Sequence, residues 1–259
     1  MPRPLHFIHL TDCHIATGER TVQFGVDTSQ AFRRVLAAVR TTTPAPDFVL
    51  VTGDLVNDGQ SESYEAFRDL IRTLPWPVYF ALGNHDERAA FRRVVLGEPA
   101  SADPYCYGFG EGGNDFLVLD SWLTGTSAGI LDTGQLAWLR ARLGESRGAV
   151  VCVHHHFVPT GLAWLDRLIL RNGAALEAIL RGHPAVRAVL FGHIHRPFDA
   201  TLGPAPLLGT PATCYQFGPR SESREISTAP PAFRTVTIED GQLATEVRWL
   251  DPIETTPRG

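Results

Sequence analysis

The sequence predicts an α/β fold. Short apolar runs rich in β-branched residues alternate with segments whose apolar positions recur at helical spacing, and the last third turns to closely spaced strands and tight turns. No internal repeat, low-complexity tract or long linker interrupts this order. Residues 1–259 are therefore expected to form a single domain, hairpin-rich from about residue 197.

Leu5–Leu10, Asp47–Thr52, Val78–Leu82, Phe116–Leu119, Ala149–Val153 and Val186–Phe191 are too short for helices and too apolar for half-exposed strands, which marks them as buried strands. Between the first two, Phe32, Val35, Leu36 and Val39 fall on one helical face, predicting an amphipathic helix from about Ser29 to Arg40. Similar patterns predict helices near Glu62–Leu74, Thr133–Leu143 and Gly173–Leu180, the last with Asn172 placed to cap it. Asp240-Gly241 between Phe233–Glu239 and Gln242–Leu250 is a hairpin signal, because both turn residues tolerate a left-handed backbone.

A net charge of -5 argues against a surface built to grip nucleic acid or an anionic membrane. It does not speak against a local positive site, since bound metal ions are not counted in it. The N-terminal apolar run is too short for a signal segment, and no stretch approaches the roughly 18 apolar residues that span a bilayer. Cys13, Cys106, Cys152 and Cys214 form no C-x-x-C pair, so four reduced thiols in a cytoplasmic protein are expected.

Polar, metal-capable residues follow five of the strands directly. Asp12-Cys13-His14 comes after the first; on an extended chain Asp12 and His14 point the same way while Cys13 turns into the core. Gly53-Asp54 closes the second, leaving a carboxylate at the strand's carboxyl end, where open α/β sheets place ligands. Gly83-Asn84-His85-Asp86 follows the third, with Asp86 placed to cap the next helix. His154-His155-His156 and Gly192-His193-Ile194-His195 complete the set, the latter again read as extended with two imidazoles on one side. Each motif alone is compatible with an ordinary surface turn. Five of them at strand ends, all offering oxygen or imidazole donors, point to a metal site. Such ligands suit manganese, zinc, iron or cobalt, and the lack of thiolates argues against a purely structural zinc.

This ordered set resembles the calcineurin-like metallophosphoesterases, from Asp12 to His195. Three further stretches are similar to the bacterial cyclic AMP phosphodiesterases, the class III cyclic-nucleotide group: His154 through Asp166 with Leu170-Arg171-Asn172, Thr213 through Phe217, and Ala229 through Arg234. One departure is Phe157, where the group usually carries proline. The resemblance implies two facing mixed β-sheets flanked by helices and two adjacent ions, divalent or of mixed valence. It assigns Asp12, His14 and His195 to one ion, Asn84, His154 and His193 to the other, and Asp54 to both. His85 is then the catalytic residue over the phosphate, with Asn84, His85, His195 and Phe157 contacting substrate and His155 and His156 near the site.

The implied reaction is hydrolysis of a 3′,5′-cyclic nucleotide, cyclic AMP foremost, by a hydroxide held on the metal pair. A phosphodiesterase for other small diesters, such as glycerophosphodiesters, and a non-catalytic partner-binding scaffold are the alternatives. A nuclease is disfavoured by the acidic balance and the lack of a Lys/Arg stripe. The expected partner is a small phosphodiester, without nucleic acid or membrane, bound by a monomer or homodimer.

Overall fold

A computed structural model describes residues 3–251; the ends of the expected 1–259 span lie outside the described residues. The first half runs β1 (Leu5–Leu10), β2 (Val22–Gln23), β3 (Val26–Asp27), α1 (Thr28–Arg40), β4 (Phe48–Thr52), α2 (Ser61–Ile71), β5 (Val78–Ala81) and α3 (Arg88–Phe91). The hairpin β6 (Tyr107–Glu111) and β7 (Asn114–Val118) precedes α4 (Thr133–Glu145), β8 (Ala149–Cys152), α5 (Ala163–Asp166), α6 (Gly173–Leu180) and β9 (Val186–Phe191). The remainder is all strand: β10 (Phe198–Leu202), β11 (Ala205–Gly209), β12 (Gln216–Phe217), β13 (Ile226–Ser227), β14 (Ala232–Glu239) and β15 (Gln242–Trp249).

Two mixed sheets result, ordered β15-β14-β1-β4-β5 and β10-β11-β9-β8-β7-β6. The apolar runs need both faces buried, and a two-sheet sandwich with outer helices provides this. Phe7, Phe48 and Leu50 of the first sheet share one apolar cluster with Phe116, Val150 and Leu190 of the second, which is the layer between the sheets. Their sequence neighbours Ile8, Val49 and Val51 turn outward to Phe32, Val35 and Leu36 of α1 and Phe67 of α2. Val151 and Val189 meet Leu139 of α4 and Leu176 of α6 in the same way. Period-two alternation thus feeds two different cores from each strand.

Within each sheet the strands carrying metal-capable motifs are parallel, β1 with β4 and β4 with β5 on one side, β8 with β9 on the other. Their carboxyl ends therefore emerge together, and the five motifs meet along one edge of the sandwich. The C-terminal hairpin turns through Asp240 and Gly241, at φ 49° and 79°, and lays β14 antiparallel on β1.

Two predicted helix caps work differently. Asn172 precedes α6, but its side chain makes no capping bond. It is drawn instead to Leu131, accepting from the backbone N–H and donating to the carbonyl. Glu87, one residue beyond Asp86, caps α3 by accepting from the N–H groups of Ala89 and Ala90. Asp86 is occupied elsewhere, at the site itself.

Polar groups penetrate the inter-sheet layer along one line. Arg234 of β14, only 2% exposed, donates to the Gly209 carbonyl and to the hydroxyls of Thr210 and Thr245, and pairs with Asp199 at 3.0 Å. The Thr210 hydroxyl meets Nδ1 of buried His9, whose Nε2 lies 2.7 Å from the Thr52 hydroxyl. Burial, reinforced by Arg234, pushes His9 down to about 3, so the ring is neutral. Truncating Arg234 opens a cavity and strands these acceptors. Arg234→Ala should cost about 2–4 kcal/mol in urea unfolding. Asp199→Ala, removing a 60%-exposed partner, should cost under about 1 kcal/mol. Equal losses would mean that the ion pair, not the buried hydrogen bonding, carries the stability.

Candidate metal centre

The ligand loops are not extended. Asp12, His14, Asp54, His193 and His195 all have positive φ, between 45° and 67°, in the left-handed region that L residues avoid. Asp and His tolerate it better than most, yet each such residue costs on the order of 1 kcal/mol. Alternation of left-handed residues with Cys13 and Ile194, rather than the pleat of a strand, turns both members of each pair inward. Cys13 and Ile194 are fully buried.

Neighbouring backbone holds this geometry. Asp12 and His14 donate their N–H groups to the carbonyls of Gly53 and Asp54, so the loops after β1 and β4 bend together. The Asp86 carboxylate accepts from the N–H groups of Gly83, Leu55 and Val56 and from the Tyr64 hydroxyl, tying the Asp54 loop to the Asn84 loop. Burial and the nearby Asp54 charge raise it to about 7. Glycine is required where the loops touch. A Cβ on Gly53 would lie 2.6 Å from His154, and one on Gly83 or Gly192 would collide with Asp54 or Thr11.

Three groups of ligand atoms converge, each within 4.8 Å: Asp12, His14 and His195; His14, Asp54 and His85; and Asp54, His154 and His193. His14 Nε2 is 3.1 Å from His195 Nε2 and 3.5 Å from Asp54 Oδ2, while His154 Nε2 is 3.4 Å from the same Asp54 oxygen. His195 Nε2 lies 3.3 Å from Asp12 Oδ1. Donors bound at about 2.0–2.1 Å to one ion sit roughly 3.0–3.4 Å apart, so these spacings are those of coordination edges. The buried atoms His193 Nε2 and Asn84 Oδ1 lack any hydrogen-bond partner among the described residues, and a cation is what such atoms accept. The seven residues assigned to metal, Asp12, His14, Asp54, Asn84, His154, His193 and His195, are thus placed at one edge with a donor set that fits two ions sharing Asp54.

Second partners orient the rings. His154 Nδ1 donates to the Thr52 carbonyl, His195 Nδ1 to the Tyr215 carbonyl and His14 Nδ1 to Asn57 Oδ1, leaving each Nε2 directed inward. His85 Nδ1 donates to the Asn57 carbonyl, and its N–H donates to Asp54 Oδ1. Asn57 therefore braces both a ligand candidate and the catalytic candidate. No motif marks it; the only hint was one amide after the apolar pair Leu55-Val56. His155 is packed and satisfied, between the Ser121 hydroxyl and the Ser127 carbonyl. His156 stacks over His193 with Asp166 at 3.6 Å.

Charge follows from burial. Burial lowers His14 to about 3 and His193 well below its ordinary range, so both offer neutral nitrogens. Burial alone would raise Asp12 and Asp54, but His195 holds the first below the usual carboxylate range, and His154 with His85 holds the second well below it. His154 is the exception: against the opposing effect of burial, Asp54 lifts it to about 9.

A cleft of about 310 Å³ opens over the cluster, within the range of small-ligand sites. Beyond the ligands it is lined by Gln23, Phe24, Asn57, Ser127, Trp164, Tyr215, Phe217 and Arg224, among others. Phe157 is not there. It is 4% exposed in the outer core with Leu165, Leu170 and Leu176, its backbone pressed against Gly173 at the start of α6. Sequence proximity to His154 misled, because the chain dives under α6 after the histidines and returns to the cleft only at Trp164.

Buried imidazoles and carboxylates around two adjacent ion positions, on a two-sheet α/β sandwich, define a binuclear metallohydrolase type of site. Residues 5–197 match the calcineurin-like phosphoesterase family. A 3′,5′-cyclic adenosine monophosphate phosphodiesterase of Pseudomonas aeruginosa is 34% identical over 249 residues, covering 95% of this chain and 90% of that protein. A 3′,5′-cyclic-nucleotide phosphodiesterase of Nostoc is 32% identical over 260 residues, covering 98% and 96%. The fold is also that of a dimetal phosphatase from Danio rerio (TM-score 0.74, 17% identity, covering 95% and 96%). The chain belongs to the calcineurin-like phosphoesterases and, with its His/Asp cluster intact, is a metallophosphoesterase.

Metals bind deprotonated ligands, so loading must expel the His154 proton. Affinity should fall as pH falls below about 9, where that proton competes. Calorimetric titration with Mn²⁺ at pH 7.5 should give heats that depend on the buffer's ionisation enthalpy, corresponding to about one proton released per chain. Buffer-independent heats would contradict the assignment of His154.

Proposed function

We propose that this protein hydrolyses 3′,5′-cyclic nucleotides, cyclic AMP foremost, to 5′-monophosphates. The observation that carries the reading is whole-length similarity to the Pseudomonas and Nostoc enzymes, at 34% and 32% identity, together with a metal-lined cleft walled by aromatic rings. Tyr215 and Phe217 both stack on His195, at 4.8 and 4.3 Å, and Trp164 meets Phe217 edge-on at 5.0 Å. A glycerophosphodiester offers such a wall no flat partner; a nucleoside does.

When bound, a pair of Mn, Fe, Zn or Co ions supplies Lewis acidity toward the phosphoryl group and acidifies water to a usable nucleophile at neutral pH. The chain's own residues do the rest. Asn84, His85 and His195 face the cleft and orient the phosphate. Water adds to phosphorus, the bond from phosphorus to O3′ breaks, and O3′ takes a proton. His85, anchored through Nδ1 to Asn57, is positioned to deliver that proton. Cys13, Cys106, Cys152 and Cys214 are free thiols, three of them buried, and no helix among the described residues is long and apolar enough to cross a membrane.

Manganese-loaded enzyme should turn over cyclic AMP with a kcat/KM at least about tenfold above that for glycerophosphocholine, a gap of roughly 1.4 kcal/mol in transition-state binding. His85→Ala should lower kcat by about 10²–10⁴ while metal content stays unchanged. A preference for glycerophosphocholine would replace the proposed substrate class. Metal loss in the His85 variant would make His85 a ligand instead.

A further inference from the structure

One cleft residue sits where its side chain is costly to place. The hairpin of β2 and β3 closes through Phe24-Gly25, with Val22 opposite Asp27 and Gln23 opposite Val26. Both turn residues have positive φ, 49° at Phe24 and 80° at Gly25. A two-residue turn of this kind favours Asn-Gly, Asp-Gly or Gly-Gly. A bulky aromatic residue at positive φ is an outlier, and such outliers cluster at ligand clamps. Phe24 gains little burial in return, remaining 51% exposed.

Its surroundings are those of a binding face. The ring contacts Tyr215 edge-on at 4.9 Å, and Tyr215 in turn stacks on His14 and His195, so two ring-to-ring steps join Phe24 to the metal cluster. The guanidinium carbon of Arg224 lies 5.0 Å from the Phe24 ring centre. Arg224 makes no ion pair or hydrogen bond among the described residues, so its planar group is held only by the ring. Gln23, next to Phe24, is already engaged, donating to the His14 carbonyl and accepting from the Tyr215 hydroxyl. That ties the hairpin to the ligand loop and fixes where Phe24 stands.

We propose that Phe24, backed by Arg224, is the platform on which the nucleobase of a nucleoside phosphate stacks while the phosphate lies at the metal cluster. Aromatic faces and stacked guanidinium planes hold any base, and a purine, with the larger surface, most firmly. This deepens the cyclic-nucleotide reading and rests on it for the position of the phosphate.

The test compares 5′-AMP with ribose 5-phosphate, which differ by the base, in calorimetric titrations of the manganese-loaded protein. The wild type should bind 5′-AMP roughly 5- to 150-fold more tightly. Phe24→Gly should bring that ratio close to one and raise the thermal midpoint because glycine suits the turn. Arg224→Gln should lower the ratio in part. A wild-type ratio near one, or a ratio that survives in Phe24→Gly, overturns the platform even if cyclic AMP is a good substrate. Loss of the ratio in the variant upholds the platform even if no cyclic nucleotide is hydrolysed, in which case the reaction assigned above is what fails.

Discussion

Lone pairs and carboxylates pointing at one another, out of water, dominate this molecule. His14, His154, His193 and His195 bring ring nitrogens to within a few ångströms of Asp12 and Asp54, and all six residues are buried. The neutral rings of His14 and His193 turn bare nitrogens toward these groups, and the proton on His154 faces Asp54. Left alone, such a cluster costs several kcal/mol in unmet polar groups. Two metal ions held there would convert the same arrangement into a set of bonds. Left-handed backbone at Asp12, His14, Asp54, His193 and His195 adds strain that the bonds to such ions would offset.

The remaining architecture serves that cluster. Parallel neighbours in two sheets deliver five loops to one edge, which no single antiparallel sheet would do. Backbone bonds from Asp12 and His14 to the loop after β4 fix one half of the site, and Asp86 fixes the other. Thr52 joins the site to the interior, because its carbonyl orients His154 while its hydroxyl meets His9 in the polar line that ends at Arg234. Sheet packing and the geometry of the ligand atoms are therefore coupled through a handful of named bonds.

Much of this was legible in the sequence, for a definable reason. Buried strands announce themselves by β-branched runs, and a metal site at strand ends concentrates its ligands in Asp12-x-His14, Gly53-Asp54, Asn84-His85, His154 and His193-x-His195. The bounds of β1, β9 and α6 agree to the residue. What escaped was conformation and long-range placement. Asp-x-His reads the same whether its backbone is extended or left-handed. Asp86 and Asn172 look like helix caps because capping is local, yet both are captured by backbone distant in sequence. Phe157 lay near a ligand in sequence but was carried under α6, whereas Phe24 reaches the cleft from a segment with no motif, and Tyr215 and Phe217 from the stretch Thr213 through Phe217, whose likeness did not say which rings face the cleft.

The most direct test is a crystal structure of metal-loaded protein with anomalous data collected at the metal's absorption edge. Two anomalous peaks should lie between Asp12, His14, His195 on one side and Asn84, His154, His193 on the other, with Asp54 bridging and the five ligand residues still left-handed. A single peak, or ligand loops relaxed to negative φ around the ions, would contradict a site built in advance for two metals.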